Sequence, residues 1–206
     1  LRILQVMKWI SPQEDTGGKI RSFRLGRALS SFAQVDAIGY VLPGEEPDGS
    51  EEALTCYRHL WKIPACRGRT AIWQTADALA QGFSLRTARF FPQVLSHSIE
   101  KLLGEKKYDV IQAEELPPMS SVGRLSMELP VIYSSHNIES ELSLRLFRLR
   151  HPLLKIFAGR ESQRTAAEEK QALRRAQACI VVSPKDRDAF RRMDPDSRVP
   201  VHILPN

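Results

Sequence analysis

The chain reads as short apolar runs separated by stretches with a helical repeat. Arg2-Ile3-Leu4-Gln5-Val6-Met7 is a mostly apolar run of the kind a fully buried strand presents. From Lys19 onward, Ile20, Phe23, Leu25, Ala28, Leu29 and Phe32 recur on one stripe. Arg21, Arg24 and Arg27 fall mainly opposite, so the spacing predicts an amphipathic helix over 19–32. Further strands are predicted at 35–42, 57–63, 108–113, 130–134, 178–182 and 199–204. Helices are predicted at 70–105, broken near Gly82 and Pro92, and at 116–127 and 138–149. A long helix starts at Pro152 and runs to about residue 175, and Ser183 caps a last helix over 185–193.

Strands alternating with helices imply a parallel sheet covered on both faces. The expected class is α/β: a Rossmann-like, doubly wound parallel sheet of six or seven strands. No repeat or low-complexity linker interrupts residues 1–206, so a single domain is expected. In such sheets ligands meet the loops at the carboxyl ends of the strands. Those loops are 8–18, 114–116 and 134–137.

Composition removes several classes. With 206 residues, 42% hydrophobic and 26% charged, the chain is neither disordered, collagen-like nor a small disulfide scaffold. Lys and Arg number 30 against 24 Asp and Glu, a net charge of +6 that favours anionic partners. The excess is concentrated between Glu141 and Arg175, where nine basic residues stand against four acidic ones among Leu146, Phe147, Leu149, Leu153, Leu154, Ile156 and Phe157. That segment reads either as an anionic-membrane surface or as a solvated helix face packed on the sheet. No zinc finger, RNP aromatics or helix-turn-helix pattern is present, so nucleic acid is not expected as a partner. Cys56, Cys66 and Cys179 are too few and too far apart for a disulfide framework or a zinc pattern, and they read as reduced thiols of a cytoplasmic protein. No apolar run reaches the length of a membrane span.

Three motifs fall on the predicted rim. Thr16-Gly17-Gly18-Lys19-Ile20-Arg21 opens the first helix, where adjacent glycines permit close backbone approach and the helix N-terminus offers free N–H groups to an anion. Lys19 and Arg21 add positive charge. The spacing is neither Gly-x-Gly-x-x-Gly nor a P-loop, because the next glycine is Gly26, deep in the helix. A tight turn feeding a helix is the alternative. Ser134-Ser135-His136-Asn137 follows a buried-type strand; His136 there can meet a sugar hydroxyl or phosphate, or simply bond its own turn. Gln112-Ala113-Glu114-Glu115 ends another strand. Consecutive glutamates are expected to point different ways, so they do not form a paired acid/base dyad; one of them is a candidate helix cap. No Gly-x-Ser-x-Gly elbow and no His-Glu-x-x-His occurs, and no metal or cofactor is expected.

The order of these motifs resembles the N-terminal domain of family 4 glycosyltransferases of the GT-B fold. The similarity is carried by Arg2 to Val6, by Asp15 to Ser22 with Leu25, Ala28 and Leu29, by Tyr108 to Glu114, by Pro130 to Glu139, and by Ala176 to Asp186 followed by Val201 to Asn206. The resemblance implies the N-terminal, acceptor-side half of a two-domain enzyme, with the donor-binding C-terminal domain lying beyond Asn206. It implies transfer of a sugar from a nucleotide-sugar, with retention of configuration and without a required metal, to a glycan or lipid-linked acceptor. It further implies a setting in bacterial polysaccharide or envelope glycan synthesis, at the inner face of the membrane. By residue, it implies donor diphosphate contact at Gly17, Gly18 and Lys19, a catalytic contribution from His136, and acceptor contacts at Glu114, Glu115, Asn137 and Arg21. Such a half alone is expected to be inactive. Two other readings stand beside it: a non-catalytic GT-B-like module that binds a glycan or partner, and a Rossmann-like dehydrogenase. The last is disfavoured by the missing third glycine and by Tyr40-Val41-Leu42-Pro43 where an acidic residue would follow the second strand.

Overall fold

The structure is a computed structural model that describes residues 1–10, 17–41, 54–148 and 155–205. Asp15 and Thr16, the turn-rich stretch 43–49, Pro152 with the apolar positions around it, and Asn206 lie outside those residues.

Seven strands form one sheet: β1 (Arg2–Trp9), β2 (Gln34–Val41), β3 (His59–Pro64), β4 (Val110–Glu114), β5 (Val131–Ser134), β6 (Ala178–Val181) and β7 (Val201–Ile203). Their order is β3-β2-β1-β4-β5-β6-β7 and every pairing is parallel. The chain first steps from β1 outward to β3, then crosses to β4 and steps the other way. Right-handed crossovers therefore put the helix after β1 on one face and the later helices on the other. Side chains confirm this. Phe23 of α1 (Gly17–Ser30) packs with Ile3, Met7, Val35 and Ala37 on one face. The opposite face packs Leu4, Val6, Ile111, Ala113, Val131 and Tyr133 against later helices.

Those later helices are α2 (Gly68–Ala80), α3 (Leu85–Ala88), α4 (Pro92–Glu105), α5 (Leu116–Val122), α6 (Glu139–Arg148), α7 (Lys155–Arg175) and α8 (Pro184–Met193). The predicted breaks near Gly82 and Pro92 separate α2, α3 and α4. The predicted helix 116–127 ends earlier, at Val122, where Gly123 follows. Ser183 caps α8 as expected, its hydroxyl accepting the Asp186 amide at 3.2 Å.

Gly26 has a packing function the sequence spacing concealed. A Cβ there would run into the Tyr57 hydroxyl and lie 2.8 Å from Gln5 Oε1. The bare backbone lets α1 settle on the sheet where Tyr57 donates to Gln5 at 2.8 Å. Close helix–strand approach is what the last glycine of a dinucleotide fingerprint provides; here Gly26 serves it at a different spacing.

Candidate functional site

Because the sheet is parallel, the carboxyl ends of β1, β4 and β5 and the N-terminus of α1 share one rim. Register sets the site beneath it. Gln5 pairs with Gln112, and Glu114, two residues further along β4, falls on the same face under α1. These three polar side chains are buried within apolar strands. Burial requires partners, and they supply one another: Gln5 Nε2 donates to Glu114 Oε1 at 3.0 Å, and Gln112 Nε2 donates to the same oxygen at 2.6 Å. The other Glu114 oxygen lies 2.8 Å from His136 Nε2.

His136 stands between both glutamates. Its Nδ1 is 3.2 Å from Glu115 Oε1, and the other Glu115 oxygen pairs with Lys8 of β1. The expectation that the two glutamates point apart therefore fails, for a backbone reason. Alternation holds along an extended strand, but Glu115 has φ 70° and ψ 170°, a region occupied essentially by glycine. The reversal swings its side chain back to the imidazole. Glu115 sits at the N-cap position of α5, yet its side chain makes no cap bond.

Gly18 closes the cluster. A Cβ there would lie 2.7 Å from Glu115 Oε1 and 3.5 Å from His136 Nδ1, whereas one at Gly17 would meet open space. Only Gly18 is constrained by the site; Gly17 is exposed at its edge. Lys19 is partly buried and Asn137 is exposed, its carbonyl accepting the Ser135 hydroxyl at 2.8 Å. Arg21 departs from the predicted polar face: it is buried on the sheet side of α1, where burial lowers its pKa and the charge of Glu114 supports it.

The electrostatics follow from this geometry. Burial pulls the His136 pKa down, but its contacts with Glu114 and Glu115 outweigh that and hold it at about 9. Burial raises Glu115, yet His136 and Lys8 bring it down to about 2. His136 is therefore an imidazolium at neutral pH. Its folded value exceeds the ordinary 6.5, so its contribution to stability is fully present below pH 6.5 and is lost as pH rises through about 9. Urea unfolding followed from pH 6.5 to 9 is expected to show declining stability, and His136→Gln is expected to flatten that slope.

A second layer, which the sequence reading missed, holds the histidine loop. Arg86 of α3 forms an ion pair with Glu139, the first residue of α6. Glu169 of α7 takes the N-terminal amides of α6, Glu139 N at 2.6 Å and Ser140 N at 3.1 Å, and the Ser140 hydroxyl at 2.5 Å. Burial lifts Glu169 to about 7. The available signal was weak: polar residues recurring at core-facing positions of β1 and β4, and an acid inside a basic helix.

The basic stretch 141–175 is only partly described. Within α7, Lys170 and Arg174 both pair with buried Asp194, Arg174 in a two-point contact at 2.6 and 3.0 Å. Part of the expected surplus is thus neutralised from outside the segment. Cys56, Cys66 and Cys179 form no disulfide among the described residues. No helix among the described residues is long and apolar enough to cross a membrane.

Comparison with known proteins places these features. The profile of the glycosyl transferase 4-like domain matches residues 16–206. No curated protein sequence matches the chain. Among solved structures, sucrose-phosphate synthase from Thermosynechococcus elongatus superimposes with a TM-score of 0.68 at 15% identity, covering 99% of this chain and 47% of that one. Anabaena HepE, in complex with UDP and glucose, gives 0.54 at 14% identity, covering 99% and 44%. Phytolacca americana UGT2, complexed with UDP-2-fluoro-glucose and pterostilbene, gives 0.55 at 12%, covering 100% and 52%. The chain spans about half the length of each, and the fold is the Rossmann-like N-terminal half of a GT-B architecture.

Proposed function

The chain belongs to the glycosyl transferase 4-like domain family, and from that premise we propose that it is the acceptor-side half of a retaining glycosyltransferase that moves a sugar from a nucleotide-sugar to a glycan or lipid-linked acceptor. The observation that carries this reading is the charged His136 held against the N-terminus of α1, with Gly18 as the contact. A helix N-terminus and a fixed imidazolium supply positive potential where a leaving diphosphate gains negative charge.

Within this proposal Glu114 orients rather than binds. Its side chain is 1% exposed and both oxygens are engaged, which suits a carboxylate that fixes the ring's orientation and holds its charge. Glu115, 12% exposed, is the partner that can release Nδ1 to a ligand. Gly17, Gly18 and Lys19 take the diphosphate side, and Glu115 and Asn137 the acceptor side. Buried Arg21 acts through the field it shares with Glu114. Catalysis needs the nucleotide-sugar as substrate and no resident cofactor. A role in bacterial envelope glycan synthesis, at the cytoplasmic membrane face and through the basic stretch 141–175, extends the same reading.

The test is a donor panel on the full-length protein, with UDP-, GDP- and ADP-sugars scored for binding by calorimetry and for transfer by product anomeric configuration. A saturable donor with retained configuration supports the proposal. Inverted product, or binding of glycans with no donor recognised, overturns it; the second outcome would favour the binding-module alternative.

A further inference from the structure

A cavity of about 380 Å³ lies on the face opposite α1, between α5, α7 and the turn joining α2 to α3. It falls within the range of small-molecule pockets, about 300–1,000 Å³. Arg124, Arg164 and Arg175 line it, with Ser120, Glu168 and Phe83. None of the three arginines comes within ion-pair distance of a carboxylate among the described residues, although Arg164 shares its field with buried Glu161. Two are nonetheless tethered: Arg124 lies 5.0 Å over the Phe83 ring, and Arg175 Nη2 donates to the Met127 carbonyl at 2.8 Å. Their remaining donors make no hydrogen bond to a described residue.

Two polar atoms on residues that line the cavity, both shielded from water, lack hydrogen-bond partners. Ser120, 9% exposed, has an unpartnered hydroxyl, and Glu168 has an unpartnered Oε1. The other Glu168 oxygen accepts the Ser84 amide at 3.1 Å, so the carboxylate is fixed in place. Buried polar atoms without partners are rare in folded proteins. The chemical demands of this set differ. Guanidinium groups call for an anion, and phosphate suits them best. An ionised carboxylate can only accept, so it calls for a ligand hydroxyl. Among the lining residues three positive charges stand against one negative, an excess that suits a phosphomonoester, which carries about −1.5 to −2 at neutral pH.

We propose that this cavity binds a small phosphomonoester bearing hydroxyl groups, of the size of a sugar phosphate, with its phosphate on the arginines and a hydroxyl on Glu168. The site is separate from the His136 rim and does not depend on the function proposed for it.

The probes are ribose 5-phosphate and mannose 6-phosphate, with inorganic phosphate and unphosphorylated ribose as controls, titrated into the full-length protein at constant ionic strength. Saturable binding of at least one sugar phosphate is expected, at least about tenfold tighter than inorganic phosphate, with none for ribose. Arg164→Ala and Ser120→Ala are each expected to weaken it about tenfold, whereas His136→Gln leaves it unchanged. Glu168→Gln, which can still accept the Ser84 amide, is expected to erase the preference over inorganic phosphate. Absence of saturable binding by both probes overturns the proposal. So does binding that survives Arg164→Ala but fails in His136→Gln, which would place the ligand at the rim. Equal affinity for inorganic phosphate would reduce the cavity to a simple anion site and likewise overturn it.

Discussion

Under the proposed glycosyl transfer, replacing His136 by alanine in the full-length protein is expected to lower kcat by about 10²–10³-fold, with a much smaller change in KM for the donor. That is the usual effect of removing one group that stabilises developing negative charge. The variant is also expected to lose stability, because it leaves Glu114 buried without the imidazolium it faces. His136→Gln separates the two effects. Its amide can still donate to Glu114, so folding recovers, while the positive charge is gone. Steady-state kinetics and urea unfolding on both variants decide the matter. If His136→Gln folds normally and retains full kcat, the charge takes no part in transfer and the loop is a structural turn.

The largest effect on stability is expected at Arg86. Glu139, its partner, is 3% exposed. Removing one member of a buried ion pair generally costs about 3–5 kcal/mol, because the other charge is stranded. Arg86 also opposes the rise of Glu169, which burial has already lifted to about 7. Without the guanidinium Glu169 is pushed further upward. An acid whose folded pKa exceeds its unfolded value stabilises below the unfolded value and loses that contribution as pH rises. The deficit of Arg86→Met should therefore be small near pH 5 and grow toward pH 8. Adding Glu139→Gln should restore most of it. A deficit that does not change with pH would mean that Arg86 acts through packing alone.

The fold was legible because its signal is periodic and local. Apolar runs such as 2–7 and 178–182 lie in a sheet covered by helices, so burial on both faces kept the pattern clean. The rim residues were legible for a related reason: Gly18 and His136 stand where a strand hands over to a helix. What holds them was not. Gln5 and Glu114 are 109 residues apart, Lys8 and Glu115 are 107, and no local pattern ties Arg86 or Glu169 to the histidine loop. Arg21 was misplaced because periodicity treats a charge as solvent-facing, whereas a buried acid nearby makes burial tolerable. The two glutamates were misread because alternation assumes extended backbone, and at Glu115 that assumption fails.

That same peptide has a kinetic consequence. Holding a residue with a Cβ in the region Glu115 occupies costs about 1–3 kcal/mol, and here the opposing pull comes from His136 and Lys8. When a bound anion draws those two cations away, the restraint on the peptide weakens at the moment the carboxylate is displaced. Release of the side chain and relaxation of the backbone would then reinforce each other at the β4–α5 corner. Occupancy of the rim would thus be reported by a discrete conformational step, resolvable as a separate relaxation phase after ligand mixing.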